Sequence, residues 1–144
     1  MIGGTIKFAA SIDYDGDCTF DVTISEGSIK THVFFYGDSE TWVTFGEALQ
    51  AFPLQSQDVV VFEAGAPEFN TQGYAAILLK VYCYNRQGHT AIQVIVDNNE
   101  PLPIKERVEF SILAEAASLN KLGIALANWQ IENGTEIVWE ARLS

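Results

Sequence analysis

Asp13, Asp15 and Asp17 alternate around Gly16, a spacing that invites a calcium loop. An EF-hand counted from Asp13 requires Gly at its sixth position and a bidentate Glu at its twelfth. Cys18 and Ile24 stand there instead, so the run reads as a hairpin of turn-forming residues and no metal is expected. His32 and His89 are the only histidines, and Cys18 and Cys83 the only cysteines. They show no zinc-type pair spacing. A Cys–His nucleophile needs an accessible thiol in electropositive surroundings. Both cysteines fall at inward positions of alternating runs, which predicts buried free thiols. A disulfide would require the two strands to be neighbours. Ser118 lies in no Gly-x-Ser-x-Gly elbow. The isolated glycines form neither a phosphate loop nor a dinucleotide fingerprint, so no cofactor is expected. Glu63, closing an apolar run, is the nearest approach to a raised-pKa acid, against the plainer reading of an outward strand-end residue. Catalytic groups can converge from distant positions, which leaves an enzyme with a dispersed site as an alternative. The expectation is a non-enzymatic protein.

A second set of residues points to binding. Tyr74, Lys80, Tyr82 and Tyr84 share the face of a strand opposite Ala75, Ile77, Leu79, Val81 and Cys83. Amphipathic aromatics on one sheet face are typical of interfaces, although such a face also serves as a seat for a chain's own loops or helix. Glu26, Asp38, Glu40, Glu68 and Asp97 lie in or beside predicted turns, where side chains are exposed and free to meet a partner. The formal net charge is −11, from 8 Lys+Arg against 19 Asp+Glu. Such a field repels nucleic acid and anionic membranes and attracts a basic protein, besides keeping the chain soluble.

The elements that position these residues follow from hydrophobic periodicity. Thr5–Tyr14, Cys18–Ile24 and Ser28–Tyr36 alternate, with Ile6, Phe8, Ala10, Ile12 and Tyr14, then Cys18, Phe20, Val22 and Ile24, then Ile29, Val33 and Phe35 inward. Asp15-Gly16-Asp17 and Glu26-Gly27 turn this antiparallel meander. Trp42, Phe45, Leu49 and Phe52 lie on one helical stripe. Asp38, Ser39 or Thr41 would cap that helix, and Pro53 stops it. Asp58–Ala64 is a short apolar strand, and Gly65–Gly73, with Pro67, a loop. Tyr74–Tyr84 and His89–Asp97 form a hairpin, and Asn98–Lys105 is a loop that Pro101 and Pro103 hold extended. Arg107–Ile112 is a further strand, and Leu119, Leu122, Leu126 and Trp129 mark a second helix. After an Asn133-Gly134 turn, Thr135–Arg142 reads as a final strand with Ile137 and Trp139 on one face. Phe45–Phe52 echoes Leu122–Trp129, with Gly46 matching Gly123, Ala48 matching Ala125 and Leu49 matching Leu126. A Gly inside a helix costs about 1 kcal/mol relative to Ala, so the two glycines predict close packing, of helix on helix or of helix on sheet.

At 144 residues this is one α+β domain, residues 1–144, with a largely antiparallel sheet of about seven or eight strands and two amphipathic helices. No apolar run reaches the ~20 residues of a membrane span, and Met1–Thr5 lacks the segments of a secretory signal. A soluble, cytoplasmic protein is expected.

One stretch resembles a known family. Gly88-His89 opens a strand that holds Val94, Val108-Glu109-Phe110 forms the next, and a helix ends in Leu126-Ala127-Asn128-Trp129. With the earlier helix from Phe45-Gly46-Glu47-Ala48-Leu49 to Phe52-Pro53, this resembles the WapI-type immunity proteins of bacterial contact-dependent toxin systems. The resemblance runs from about Thr41 to Trp129, leaving the N-terminal meander and the last strand outside it. It implies an α+β domain that neutralises a cognate toxin by binding it, and it carries over no individual binding residue. A self-associating structural module, such as a homodimer, is the alternative.

Overall fold

The computed structural model describes residues 2–65, 75–132 and 135–143. Glu68, Tyr74, the Pro67 loop and the Asn133-Gly134 turn lie outside the described residues. The first meander is β1 (Ile2–Ile12), β2 (Cys18–Glu26) and β3 (Ile29–Gly37). A short helix, α1 (Val43–Gln50), leads to a second meander of β4 (Val59–Ala64), β5 (Ala76–Cys83), β6 (Thr90–Asp97) and β7 (Arg107–Leu113). The longer α2 (Ala116–Ala127) then returns the chain to β8 (Glu136–Arg142). The class is α+β, with eight strands and two helices among the described residues, in line with the sequence.

The strands divide into two four-stranded antiparallel sheets, ordered β3-β2-β1-β8 and β4-β5-β6-β7. Alternation could not carry that division. A strand buried on one side alternates in the same way whether it belongs to one large sheet or to two stacked ones. The helices make the split, because each carries the chain from one sheet to the other. Along β7, Val108 lies beside Lys30 and His32 of β3, whereas Ile112 reaches Gly3 and Gly4 of β1.

The inward registers are those of the sequence. Ile6, Phe8, Val22, Ile24, Ile77, Leu79, Val81, Ile92, Val94 and Ile112 are fully buried. An aromatic cluster joins this core to the helices. The Trp42 ring stacks on Phe62 at 3.9 Å and meets Phe8 edge-on at 5.1 Å, the offset and T-shaped arrangements that aromatic quadrupoles favour. The buried indole nitrogens of Trp42 and Trp129 have no hydrogen-bond partner among the described residues.

The helices pack on each other through the paired glycines. A Cβ on Gly46 would lie 2.6 Å from the Ala127 nitrogen, and one on Gly123 would lie 2.6 Å from the Gly46 carbonyl oxygen. Asn120 of α2 adds a polar tie, its Nδ2 donating to the carbonyls of Leu49 and Phe52, each at 2.8 Å. These bonds add to the Phe52 amide, which donates to the Leu49 carbonyl at 3.3 Å, in closing the end of α1. No described helix is long and apolar enough to cross a membrane.

Four local expectations need correction. Tyr14 is 99% exposed, because β1 ends at Ile12 and Asp13 begins the turn. Ile29 is exposed too, lying where β3 first leaves its turn. The residue capping α1 is Trp42, without a side-chain hydrogen bond. Asp38 and Thr41 instead close a separate turn, with Asp38 Oδ1 accepting the Glu40 amide at 2.9 Å and Thr41 Oγ1 accepting the Asp38 amide at 2.8 Å. Finally, residues 98–105 are not extended. The Ile104 amide donates to the Pro101 carbonyl at 2.9 Å, and the Asn98 side chain ties down the Glu100 and Glu106 amides and the Ile104 carbonyl.

Candidate binding surface

The outer face of the second sheet carries Lys80 and Tyr82 of the tyrosine set. Cross-strand pairing sets Val59, Tyr82, Ala91 and Leu113 in one row, Val61, Lys80, Gln93 and Ser111 in the next, and Glu63, Leu78, Ile95 and Glu109 in a third. Side chains within a row are neighbours close enough to interact. Tyr82 is half-buried, and its hydroxyl lies 2.9 Å from Ser111 Oγ. The Lys80 ammonium sits 5.9 Å from the Tyr82 ring centroid, a cation–π distance. Gln93 donates to Glu109 at 3.3 Å, and Arg107 donates to the other Glu109 oxygen at 3.3 Å. Around this polar lattice, Val59 is 49% exposed, Val61 46% and Leu113 44%. None of the described residues packs a helix or strand over this face.

The sequence found Lys80 and Tyr82 but missed their neighbours on the adjoining strands. Gln93, Glu109 and Ser111 lie on other strands, and only the register between strands brings them together. Tyr84 lies just past the end of β5, where it stacks on His89 with ring centroids 6.0 Å apart; Asn85 Nδ2 in turn lies 2.8 Å from His89 Nδ1.

The acidic set does not form one patch. Glu26 is half-buried at the turn before β3, while Asp38 and Glu40 are exposed just after β3. Nine residues of strand put these groups about 26 Å apart. Asp97 corrects the expectation of an exposed turn residue. It is 4% exposed, because it points from the end of β6 into the base of the 98–106 loop. There its carboxylate accepts from Lys105 Nζ at 2.9 Å, from Arg107 Nη1 at 3.1 Å and from the Asn99 amide at 2.8 Å. Burial works to raise the Asp97 pKa, but the hydrogen bonds from Lys105, Asn99 and Arg107 outweigh it and hold the carboxyl below its ordinary value. The same contact with Asp97 raises the pKa of Arg107. Asp97 is therefore a structural anchor, and Glu63 and Glu109 are the acidic groups that share the tyrosine face.

The groups considered for chemistry are set differently. Cys18 is buried and Cys83 half-buried, and both thiols are free. Burial, then Asp38, Asp17 and Asp13, raises the Cys18 pKa; burial and Asp58 raise that of Cys83. At neutral pH both are thiols, the unreactive form. Asp13 Oδ1 accepts the amides of Asp15 and Asp17, each at 3.0 Å, and so spends its oxygen closing the β1–β2 turn. Among the described residues, no group of three or more His, Cys, Asp or Glu is placed to hold a metal. His32 pairs with Asp21 on the outer face of the first sheet. A cleft of about 300 Å³ between β3 and the 98–106 loop is lined by Lys30, His32, Asn98 and Glu106, with no thiol or Ser nucleophile beside them. The chain matches no family model, no curated protein and no solved structure.

Proposed function

We propose that this chain is a non-enzymatic binding protein, most concretely an immunity protein that neutralises a cognate bacterial toxin by direct binding. The observation that carries the binding reading is the outer face of the second sheet. It combines a tyrosine, aliphatic side chains and carboxylates on a rigid, register-locked surface that the described residues leave uncovered. A partner would displace water from Val59, Val61 and Leu113 and close over Tyr82, whose ring Ser111 and Lys80 already orient. Such pre-orientation lowers the entropy cost of binding. The net charge of −11 and the carboxylates of Glu63 and Glu109 suit a basic partner, and the toxin assignment rests on the family resemblance.

The test is surface-based kinetics with the protein encoded by the adjoining reading frame as the probe. Association should slow steeply between low and high salt while dissociation changes little, because rim charges act mainly on the encounter. Tyr82→Ala should weaken binding by about tenfold or more. A salt-independent on-rate removes the electrostatic role. A Tyr82→Ala variant that binds like the wild type removes this face as the interface, and no binding at all removes the immunity reading.

A further inference from the structure

The outer face of the first sheet carries an aromatic pair outside the core. Its rows run Tyr36, Thr19, Ser11 and Phe34, Asp21, Ala9 across β3, β2 and β1. The Phe34 and Tyr36 rings meet edge-on, with centroids 5.5 Å apart. Small side chains and Asp21 fill the rest of these rows, and Phe34 is 45% exposed and Tyr36 71%. A single exposed aromatic is ordinary, whereas rings in contact on an open face form a patch. Carboxylates rim this end of the sheet. Residues 11–21 and 33–41 hold Asp13, Asp15, Asp17, Asp21, Asp38 and Glu40, and neither segment holds a Lys or Arg. Asp13, Asp17 and Asp38 all act on the Cys18 thiol, and Cys18 pairs with Gly37, the residue after Tyr36. Those three carboxylates therefore converge at the Tyr36 end of β3. Backbone amides occupy one oxygen of Asp13 and one of Asp38, and His32 pairs with Asp21. The exposed Asp17 side chain has no partner among the described residues.

The charge decides what can cover the patch. An apolar partner would strip water from these carboxylates and leave them unpaired, which is costly. An anionic partner would be repelled. A cation suits both features, since the face of an aromatic ring attracts it and a carboxylate pairs with it. We infer that the Tyr36 end of the first sheet is a second docking surface, taking an arginine side chain of a basic protein partner against the Phe34 and Tyr36 rings, with its guanidinium directed to Asp17 and Asp38. Arginine fits better than lysine. Its planar head lies flat on a ring and forks onto a carboxylate, whereas an ammonium is a compact, strongly hydrated point charge. The surface is on the other sheet from Tyr82, so it rests neither on the tyrosine face being an interface nor on the toxin reading.

The experiment titrates the isotope-labelled full chain with a capped Gly-Arg-Gly-Arg-Gly peptide and follows amide and aromatic ring signals by NMR. The comparisons are the lysine version of the peptide and a citrulline version, which keeps the shape of arginine without its charge. The arginine peptide should shift the Phe34 and Tyr36 rings and the Thr19, Asp21 and Asp38 amides to saturation. The lysine peptide should bind several-fold more weakly, and the citrulline peptide should leave the rings unmoved. Phe34→Thr combined with Tyr36→Thr should weaken binding by about five- to tenfold. Asp17→Asn combined with Asp38→Asn should weaken it and flatten its salt dependence. Thr suits an exposed strand position, and the ring shifts of the wild type decide the matter even where a variant loses structure. Tyr82→Ala should respond as the wild type does. Rings that the arginine peptide leaves unmoved overturn the inference, as does a response lost in Tyr82→Ala. So does a double Thr variant that binds like the wild type, equal binding of the lysine or citrulline peptide, or ring shifts produced only by a neutral sugar such as maltotriose.

Discussion

Replacing Gly46 by Ala tests the helix pair, because the outcome has the opposite sign from that of an ordinary helix. At an unencumbered helical position, Gly→Ala stabilises by about 1 kcal/mol. Here the new Cβ would lie 2.6 Å from the Ala127 nitrogen and 2.8 Å from the Gly123 carbonyl oxygen. Both are backbone atoms, so no rotamer change relieves the contact. Restoring ordinary van der Waals distance requires α1 and α2 to part by about 0.8 Å, a gap that forfeits a quarter to a half of the dispersion energy at each contact it opens. Overpacking of this kind costs about 1–3 kcal/mol. Setting the propensity gain against it leaves Gly46→Ala destabilised by about 1 kcal/mol and Gly46→Leu by about 2–3 kcal/mol. Gly123→Ala should behave alike, since its Cβ would meet the Gly46 oxygen at 2.6 Å. The double Ala variant should lose less than the sum, because the helices need part only once. Urea unfolding, followed by the fluorescence of the three tryptophans, reads the differences as shifts in midpoint at constant slope. A Gly46→Ala protein more stable than the wild type, or strictly additive losses, would refute the close-packing argument.

Two further outcomes are expected. Val94→Asp should unfold the protein, since it places an unpaired charge at a site with 0% exposure, whereas Gln93→Asp on the outer face, opposite Lys80, should shift stability by less than about 1 kcal/mol; circular dichroism and thermal melts compare the two. Asp97→Asn should lower stability at pH 7 by about 1–3 kcal/mol, as loss of hydrogen bonds to a charged group does, since Lys105 and Arg107 are themselves partly exposed; because the folded pKa of Asp97 lies below its unfolded value, its contribution is complete above about pH 5 and fades as pH falls through the unfolded and then the folded pKa, so urea titrations at pH 7 and pH 3 should show the gap between the two proteins shrinking at the lower pH.

The fold was largely legible because most of its information is local. One-sided burial wrote a period of two into β5 and β6, and the apolar stripes of both helices survive in Phe45, Leu49, Leu119, Leu122 and Leu126, all buried. Gly46 and Gly123 signalled close packing, of helix on helix or of helix on sheet, and only the structure shows that it is helix on helix. The illegible parts depend on partners remote in sequence. Nothing near Asn120 signals that it serves carbonyls of Leu49 and Phe52. Asp97 reads as a turn residue because acids before Asn-rich loops are commonly solvated; its burial depends on Lys105 and Arg107 closing over it. The candidate surface was half legible for the same reason. Lys80 and Tyr82 share a strand, while Glu109 and Ser111 join them only through β6, and the scatter of Glu26, Asp38 and Glu40 along the first sheet shows that turn residues share no patch merely by being turn residues.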